Sequence, residues 1–348
     1  MPQPVSARLR SLAGDRGLQA GYAALAALVV ADLMTGVLLT ATYSASAIVA
    51  SMLTSARRTA LVAVSCVVLA YLLGYLRDEG SGLEWVLRAS LGTGLGVLAV
   101  VSANVRDKRE ERLRRMTIIA ATAQQALLSS LPSSVGDLDL AARYVSATAA
   151  AQVGGDLYEV TSTPYGVRLI VGDVRGKGLE AVQVAATVLS AFRHAAVSEP
   201  DLADLARGMD GVLRRLIGDE DFVTAVVAEV GPGGLTLVNC GHPAPLLLVG
   251  SSVTALEAAQ PSPPLGLGAD PEPSTHPWPP GARLLLFTDG LVEARDRRGR
   301  FFPLAEHAPA LASGDLEEAL DRLVGALRAH ADDHLGDDLA LVLAERRA

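Results

Sequence analysis

The sequence predicts two structural classes in one chain: an N-terminal all-α bundle of four transmembrane helices, followed by an α+β domain. Long uncharged apolar runs fill the chain up to Val105 and then stop. Short β-rich runs alternating with helical stretches begin near residue 138. Charge divides the same way: residues 1–115 carry a net +5 and residues 116–348 a net −13, within −8 for the whole chain.

The uncharged runs are Gly17 to Ala31, Leu33 to Ala56, Thr59 to Leu76 and Ala89 to Val105. A helix crosses the hydrocarbon with about 20 apolar residues. The stretch 17–56 is too long for one crossing and fits two, turning near Asp32 to Gly36, so spans are expected at 18–34, 36–54, 59–76 and 86–105. Asp32 is either a functional carboxylate within the membrane or, as its place at that turn favours, a residue of the wet interface. Arg8, Arg10 and Arg16 precede the first span, Arg57 and Arg58 separate the second and third, and Arg106, Lys108, Arg109, Arg112, Arg114 and Arg115 follow the fourth. All three basic flanks share one side only if the span count is even. The expectation is therefore a multi-pass protein of the cell membrane with its N-terminus and C-terminal domain in the cytoplasm. Several spans follow the first, which argues against a cleaved signal peptide. Gly92 and Gly96 form a G-x-x-x-G, either a helix contact face or the ordinary glycine content of membrane helices.

The expected domains are a membrane anchor at 1–105, a helical connector at 106–137 and a catalytic domain at 138–348. In the connector, Leu113, Met116, Ala120, Ala123 and Leu127 follow 3-4-3-4 spacing. That stripe is either a short coiled coil making a homodimer through 106–131 or one amphipathic helix packing on the next domain. Beyond it, strands are expected at Arg168–Val174, Phe222–Val230, Gly234–Cys240, Pro245–Val249, Arg283–Phe287 and Leu339–Ala344. Helices are expected at Leu179–Ala196, Leu202–Ile217 and Leu316–His330, with a hairpin turn at Gly231-Pro232-Gly233-Gly234 and a loop over 257–281. Clustered strands of this kind suggest antiparallel sheets covered by helices.

Composition narrows the chemistry. Two cysteines and no Cys-x-x-Cys pair argue against a disulfide scaffold and a thiolate zinc site. The acidic second half argues against nucleic acid as a ligand and is compatible with divalent cations. Several acidic positions there share one grammar. Asp156 follows Gly154-Gly155; Asp173 ends the run Leu169 to Gly172; Asp289 ends Leu284 to Thr288; Asp337 and Asp338 open the strand at Leu339. An ionised carboxylate at the end of a buried strand is costly unless paired or bound to metal. Carboxylates outnumber the nearby Arg175, Lys177 and Arg295, so hard cations such as Mg²⁺ or Mn²⁺ are a natural counter-charge. The competing reading is that these aspartates cap turns.

Five stretches occur in order: Val153-Gly-Gly-Asp-Leu-Tyr-Glu-Val160, Val171-Gly-Asp-Val-Arg-Gly-Lys-Gly178, Asn239-Cys-Gly-His-Pro-Ala-Pro245, Phe287-Thr-Asp-Gly-Leu-Val-Glu-Ala294 and Gly336-Asp-Asp-Leu339. Together, over about 138–346, they resemble the bacterial branch of the metal-dependent protein phosphatases (PPM, type 2C), of the sporulation stage II protein E type. The resemblance implies an αββα sandwich and a cleft holding two Mn²⁺ or Mg²⁺ ions. By motif, Asp156 and Asp173 would hold the pair with Asp173 bridging, the Val174 carbonyl would add a ligand, and Asp289 and Asp337 would complete one shell, with Asp338 as a substitute. It further implies a membrane-anchored serine/threonine phosphatase whose partner is a phosphorylated anti-anti-sigma-like regulator. Leu157, Glu159, Ser146-Ala147 and Cys240 depart from the usual pattern without removing a ligand.

Arg175 and Lys177 would either meet the substrate phosphate or form a solvated turn. His242 would act as a general acid or, as the Gly-His-Pro sequence favours, lock a loop. The alternative to an enzyme is an inert phosphatase-like receptor module that docks a signalling partner.

Overall fold

The computed structural model describes residues 5–35, 40–76, 82–128, 131–146, 154–218, 220–231 and 234–347. The chain divides into two compact units, Met1–Leu113 and Arg114–Ala348. The first contains α1 (Val5–Thr35), a 3-10 turn (Thr40–Ser44), α2 (Ala45–Leu53), α3 (Ala56–Leu76) and most of α4 (Leu83–Leu127). Among the described residues three helices are long and apolar enough to cross a membrane: Asp15–Thr35, Ala56–Leu76 and Leu83–Leu127.

The expectation of four spans is thus corrected to three. Residues 36–39 of the expected second span lie outside the described residues. The rest forms the 3-10 turn and α2, whose nine residues reach only about 14 Å against roughly 30 Å of hydrocarbon. Hydroxyl side chains explain the interruption: Ser44 donates to the Ala41 carbonyl, Ser46 to Tyr43 and Ser51 to Ile48. Such local bonds compete with regular helix. Asp32 is not at a wet turn either. It lies within α1, fully buried, and accepts a hydrogen bond from the Tyr43 hydroxyl. Among the described residues only three helices qualify as spans, yet the charged flanks do gather at one end, because the segment ending in α2 returns along α1 and brings Leu53 against Gly17. Arg58 pairs with Asp15 at 3.0 Å, the Ala56 amide donates to Asp107 at 2.8 Å, and Arg106 donates to the Thr54 carbonyl at 2.5 Å. Gly96 lies against Ala63 of α3, so at that glycine the G-x-x-x-G is a helix contact.

The second unit starts with the end of α4. Ala120 is buried with Val182, and Ala123 and Leu127 pack against them. The lower part of the connector stripe therefore covers its own domain, while Leu113 and Met116 are exposed. Then follow β1 (Ser134–Val135), β2 (Leu138–Val145), β3 (Leu157–Thr163), β4 (Gly166–Val174), α5 (Leu179–Ser198), α6 (Leu202–Leu216), β5 (Val223–Gly231), β6 (Gly234–Cys240), β7 (Leu246–Val249), β8 (Ser252–Ala255), β9 (Ser274–His276), β10 (Arg283–Phe287), α7 (Leu304–His307), α8 (Leu316–His330) and β11 (Leu339–Arg346). Every expected strand and helix of this domain is present. The tip of the expected hairpin, 232–233, lies outside the described residues, but Gly231 pairs with Gly234.

Two antiparallel sheets result, ordered β1-β2-β11-β10-β7-β8 and β3-β4-β5-β6-β9. Strand alternation builds three apolar layers. Leu169 and Val171 of β4 and Ala340, Val342 and Ala344 of β11 face the layer between the sheets. Ile170 and Val174 face α5 and α6 on one outer side, and Leu339, Leu341 and Leu343 face α8 on the other. Small residues on the inner face of β11 let the sheets approach, and leucines on its outer face fill the gap to the helix.

Phe192 of α5 is fully buried in the layer under α5 and α6, whereas Leu216 at the end of α6 is 67% exposed. Phe192→Ala is expected to cost about 3–5 kcal/mol in denaturant unfolding, and Leu216→Ala to stay within about 0.5 kcal/mol.

Candidate functional site

Parity along the strands assembles the site. The alternation that points Leu169 and Val171 between the sheets carries Asp173 to the open end of the same layer. Asp338 follows the parity of Ala340, and Asp156 that of Tyr158. Asp289 comes just after β10 and opens a short 3-10 turn. Four segments far apart in sequence thus deliver acidic side chains to one end of the sandwich.

Close backbone approach fixes the spacing. A side chain at Gly154 would collide with the Asp338 carboxylate, and one at Gly290 with the Asp338 carbonyl. Only glycine admits such contact. The Val174 carbonyl faces Gly155, next to Asp156. Thr288, fully buried, joins the two sheets here: its hydroxyl donates to Asp156 Oδ2 at 2.7 Å and accepts from the Ala340 amide at 2.9 Å. Asp338 is buried and accepts from the Tyr144 hydroxyl at 3.0 Å. Asp337 is more open and pairs with Lys177 Nζ at 2.9 Å.

Electrostatics bind the acids into one system. Burial, and then the neighbouring Asp173, hold the Asp156 carboxyl well above its usual range. Burial and the charge of Asp289 push Asp173 up to about 7. Asp289 is raised by burial, Glu293 and Asp337. Lys177 is held further toward its charged form, chiefly by its bond to Asp337. Excess negative charge and all-oxygen donors are the chemistry that hard divalent cations satisfy. Among the described residues, no three His, Cys, Asp or Glu side chains close around one point as they stand. The donor set fits such ions by chemistry and charge, while the carboxylates as they stand are not drawn in around a single ion.

Arg175, unlike Lys177, points away from the acids. It donates to the Glu220 carbonyl and lies over the Phe222 ring, its guanidinium carbon 5.6 Å from the centroid. His242 takes the structural role the sequence favours. Its Nε2 donates to the Phe287 carbonyl at 3.0 Å, so Nδ1 accepts from Thr224 Oγ1 at 3.0 Å. The ring joins Thr224, the register partner of Asp173, to the strand leading into Asp289. Burial lowers its pKa to about 4, leaving it neutral and without a free proton for catalysis. Cys240 is buried, with its thiol pushed up to about 12 by burial, so it is no nucleophile. Thr288 and Tyr144 carry no sequence signal of their own, although Thr288 adjoins Asp289 in its motif.

The raised carboxyls make a pH prediction. A carboxylic acid whose folded pKa lies above its unfolded value, near 3.8, loses its stabilising contribution as pH rises through the folded value, about 7 for Asp173. His242 titrates below 6.5 and does not oppose this above that pH. In chelator the thermal midpoint is expected to fall between pH 6.5 and 8, a drop that Asp173→Asn should diminish.

Comparison with known proteins agrees with this geometry. The family model of stage II sporulation protein E (SpoIIE) matches residues 163–347, which include Asp173, Asp289, Asp337 and Asp338. The chain is 23% identical over 284 residues to the phosphoserine phosphatase RsbU of Bacillus subtilis (strain 168), covering 78% of this chain and 81% of that protein. Among solved structures, the RsbU and RsbW domains of Rv1364c from Mycobacterium tuberculosis are 28% identical with a TM-score of 0.51, over 61% of this chain and 62% of that one. The SiaA-PP2C domain of Pseudomonas aeruginosa shares the fold at 22% identity and a TM-score of 0.59, over 70% of this chain and 99% of that one. The chain belongs to the stage II sporulation protein E family, and its C-terminal domain is a metal-dependent protein phosphatase of that branch.

Proposed function

We propose that the chain is a membrane-anchored phosphatase that hydrolyses phosphoserine or phosphothreonine on a regulatory protein of the anti-anti-sigma type. The observation that carries the chemistry is the buried acidic cluster with Lys177 as its close cation. Asp156, Asp173, Asp289, Asp337, Asp338 and the Val174 carbonyl are the groups that would hold two Mn²⁺ or Mg²⁺ ions. When bound, such ions acidify water and offset charge that develops on a phosphoryl group. The chain's own residues do the rest. Thr288 orients Asp156, Tyr144 orients Asp338, and Lys177 sits at the open side where a phosphate would enter. Arg175, turned toward Glu220, is the weaker of the two candidates for the phosphate.

Anchoring rests on the three apolar helices, and orientation on Arg58, Arg106 and their partners gathered at one end of the bundle. Basic flanks favour the cytoplasmic side, where a phosphorylated regulator is available. The substrate class rests on likeness to RsbU, a phosphoserine phosphatase.

The test is hydrolysis of a phosphoserine peptide with and without Mn²⁺. Asp173→Asn, which keeps the shape and removes the charge, is expected to lower the Mn²⁺-dependent rate at least about a hundredfold. A variant as active as the parent overturns the mechanism. A parent that binds no Mn²⁺ yet still captures a phosphoregulator would instead be a docking module.

A further inference from the structure

One buried polar side chain next to the acids has no part in the chemistry above. Gln124, in the last turn of α4, is 6% exposed. Its amide nitrogen donates to the Gly154 carbonyl at 2.9 Å and to the Tyr144 hydroxyl at 2.7 Å. Tyr144 in turn donates to Asp338 Oδ2 at 3.0 Å. The direction of these bonds is fixed. The Gly154 carbonyl can only accept, and Tyr144 has one proton, which serves the carboxylate. The Gln124 NH₂ therefore faces both acceptors.

Two separated segments are tied to this one amide. Gly154 begins the turn that delivers Asp156, and Tyr144 reaches the Asp338 carboxylate across the β2–β11 pairing. The same Gly154 is in contact distance of Asp338, so a shift of either segment alters the gap between the two acids. Docking of the helix does not require an amide here. Ala120, Ala123 and Leu127 supply the apolar contact with Val182. Burial of an amide costs free energy unless its bonds are made, and here both bonds lead to the acidic cluster.

We propose that Gln124 is a positioning residue that sets the aim and spacing of Asp156 and Asp338 for a divalent ion. It acts on affinity for the ion, not on the chemical step, and the inference rests on the metal-dependent reading above. Groups one step removed from the ligands typically tune metal affinity 10–100-fold.

The experiment uses the full chain in detergent, with Mn²⁺ as the probe. Binding is read by calorimetry without substrate, and activity on a phosphoserine peptide across a Mn²⁺ titration. Gln124→Leu is expected to weaken Mn²⁺ binding about tenfold and to raise the half-activating Mn²⁺ concentration by the same factor, with most of the lost activity returning at saturating Mn²⁺. Tyr144→Phe should show a smaller loss of the same kind, and the double variant should be no weaker than Gln124→Leu by more than about twofold, because the bonds form one chain. Parent-like Mn²⁺ affinity in Gln124→Leu overturns the proposal, as does a loss of activity that saturating Mn²⁺ does not restore. If Gln124→Leu does not fold, Tyr144→Phe decides: unchanged affinity in that variant is equally fatal. A parent that neither binds Mn²⁺ nor hydrolyses the peptide removes the phosphatase reading itself, a different result from a responsive parent with an indifferent variant.

Discussion

Mutual repulsion among carboxylates at one end of the sandwich is the constraint around which the catalytic domain is arranged. Burial raises Asp156, Asp173 and Asp289, and neighbouring charge adds to each: Asp173 beside Asp156, Asp289 beside Asp173, and Glu293 and Asp337 beside Asp289. Such a cluster survives folding only because the surrounding structure is rigid enough to hold it. The rigidity is visible in its neighbours. Thr288 ties Asp156 to the start of β11, and His242 ties β5 to the end of β10 with a ring kept neutral by burial. Glycine at 154 lets backbone touch the Asp338 carboxylate, and glycine at 290 lets it touch the Asp338 carbonyl, where any side chain would collide. Stability is spent where charge must be concentrated, which is the usual mark of a working site.

Much of this domain was legible because strand parity is a local property. Runs such as Leu169 to Gly172 and Leu284 to Phe287 are short, apolar and end in an acid, so both the strand and the special position at its end can be read from the residues. Five motifs in order then pointed to the family. β2 was not legible, because Leu138-Asp-Leu-Ala-Ala-Arg-Tyr-Val145 mixes alanine and charge and becomes a strand by pairing along its length with β11. The polar chain from Gln124 was hidden for a related reason. Its members come from residues 124, 144, 154 and 338, and no periodicity or spacing links positions that meet only after two sheets have formed.

The membrane half failed differently. Counting uncharged residues over 36–54 gives a span, yet serine and threonine are uncharged without being helix-neutral. Ser44, Ser46 and Ser51 bond to nearby carbonyls, and Tyr43 turns to meet Asp32. A buried carboxylate thus found its partner a short way along the chain, and the turn that supplies it interrupts what would have been a straight helix. Hydropathy records the cost of leaving water but not the local bonds that compete for the backbone.

Lys177 brings stability and function into direct comparison. Its pair with Asp337 is partly exposed on both sides, and exposed pairs contribute about 0–1 kcal/mol. A link that weak is a poor reason to place a lysine, with glycine on either side, beside five acids. What the position does supply is a cation on a flexible stem at the open rim of a negative cleft, within reach of Asp337 and the Gly336 carbonyl. In the phosphatase reading a phosphate dianion approaching that cleft meets repulsion from every acid not neutralised by an ion. There a lysine able to leave Asp337 for the incoming phosphate would lower that barrier, whereas Arg175 would first have to give up the Glu220 carbonyl.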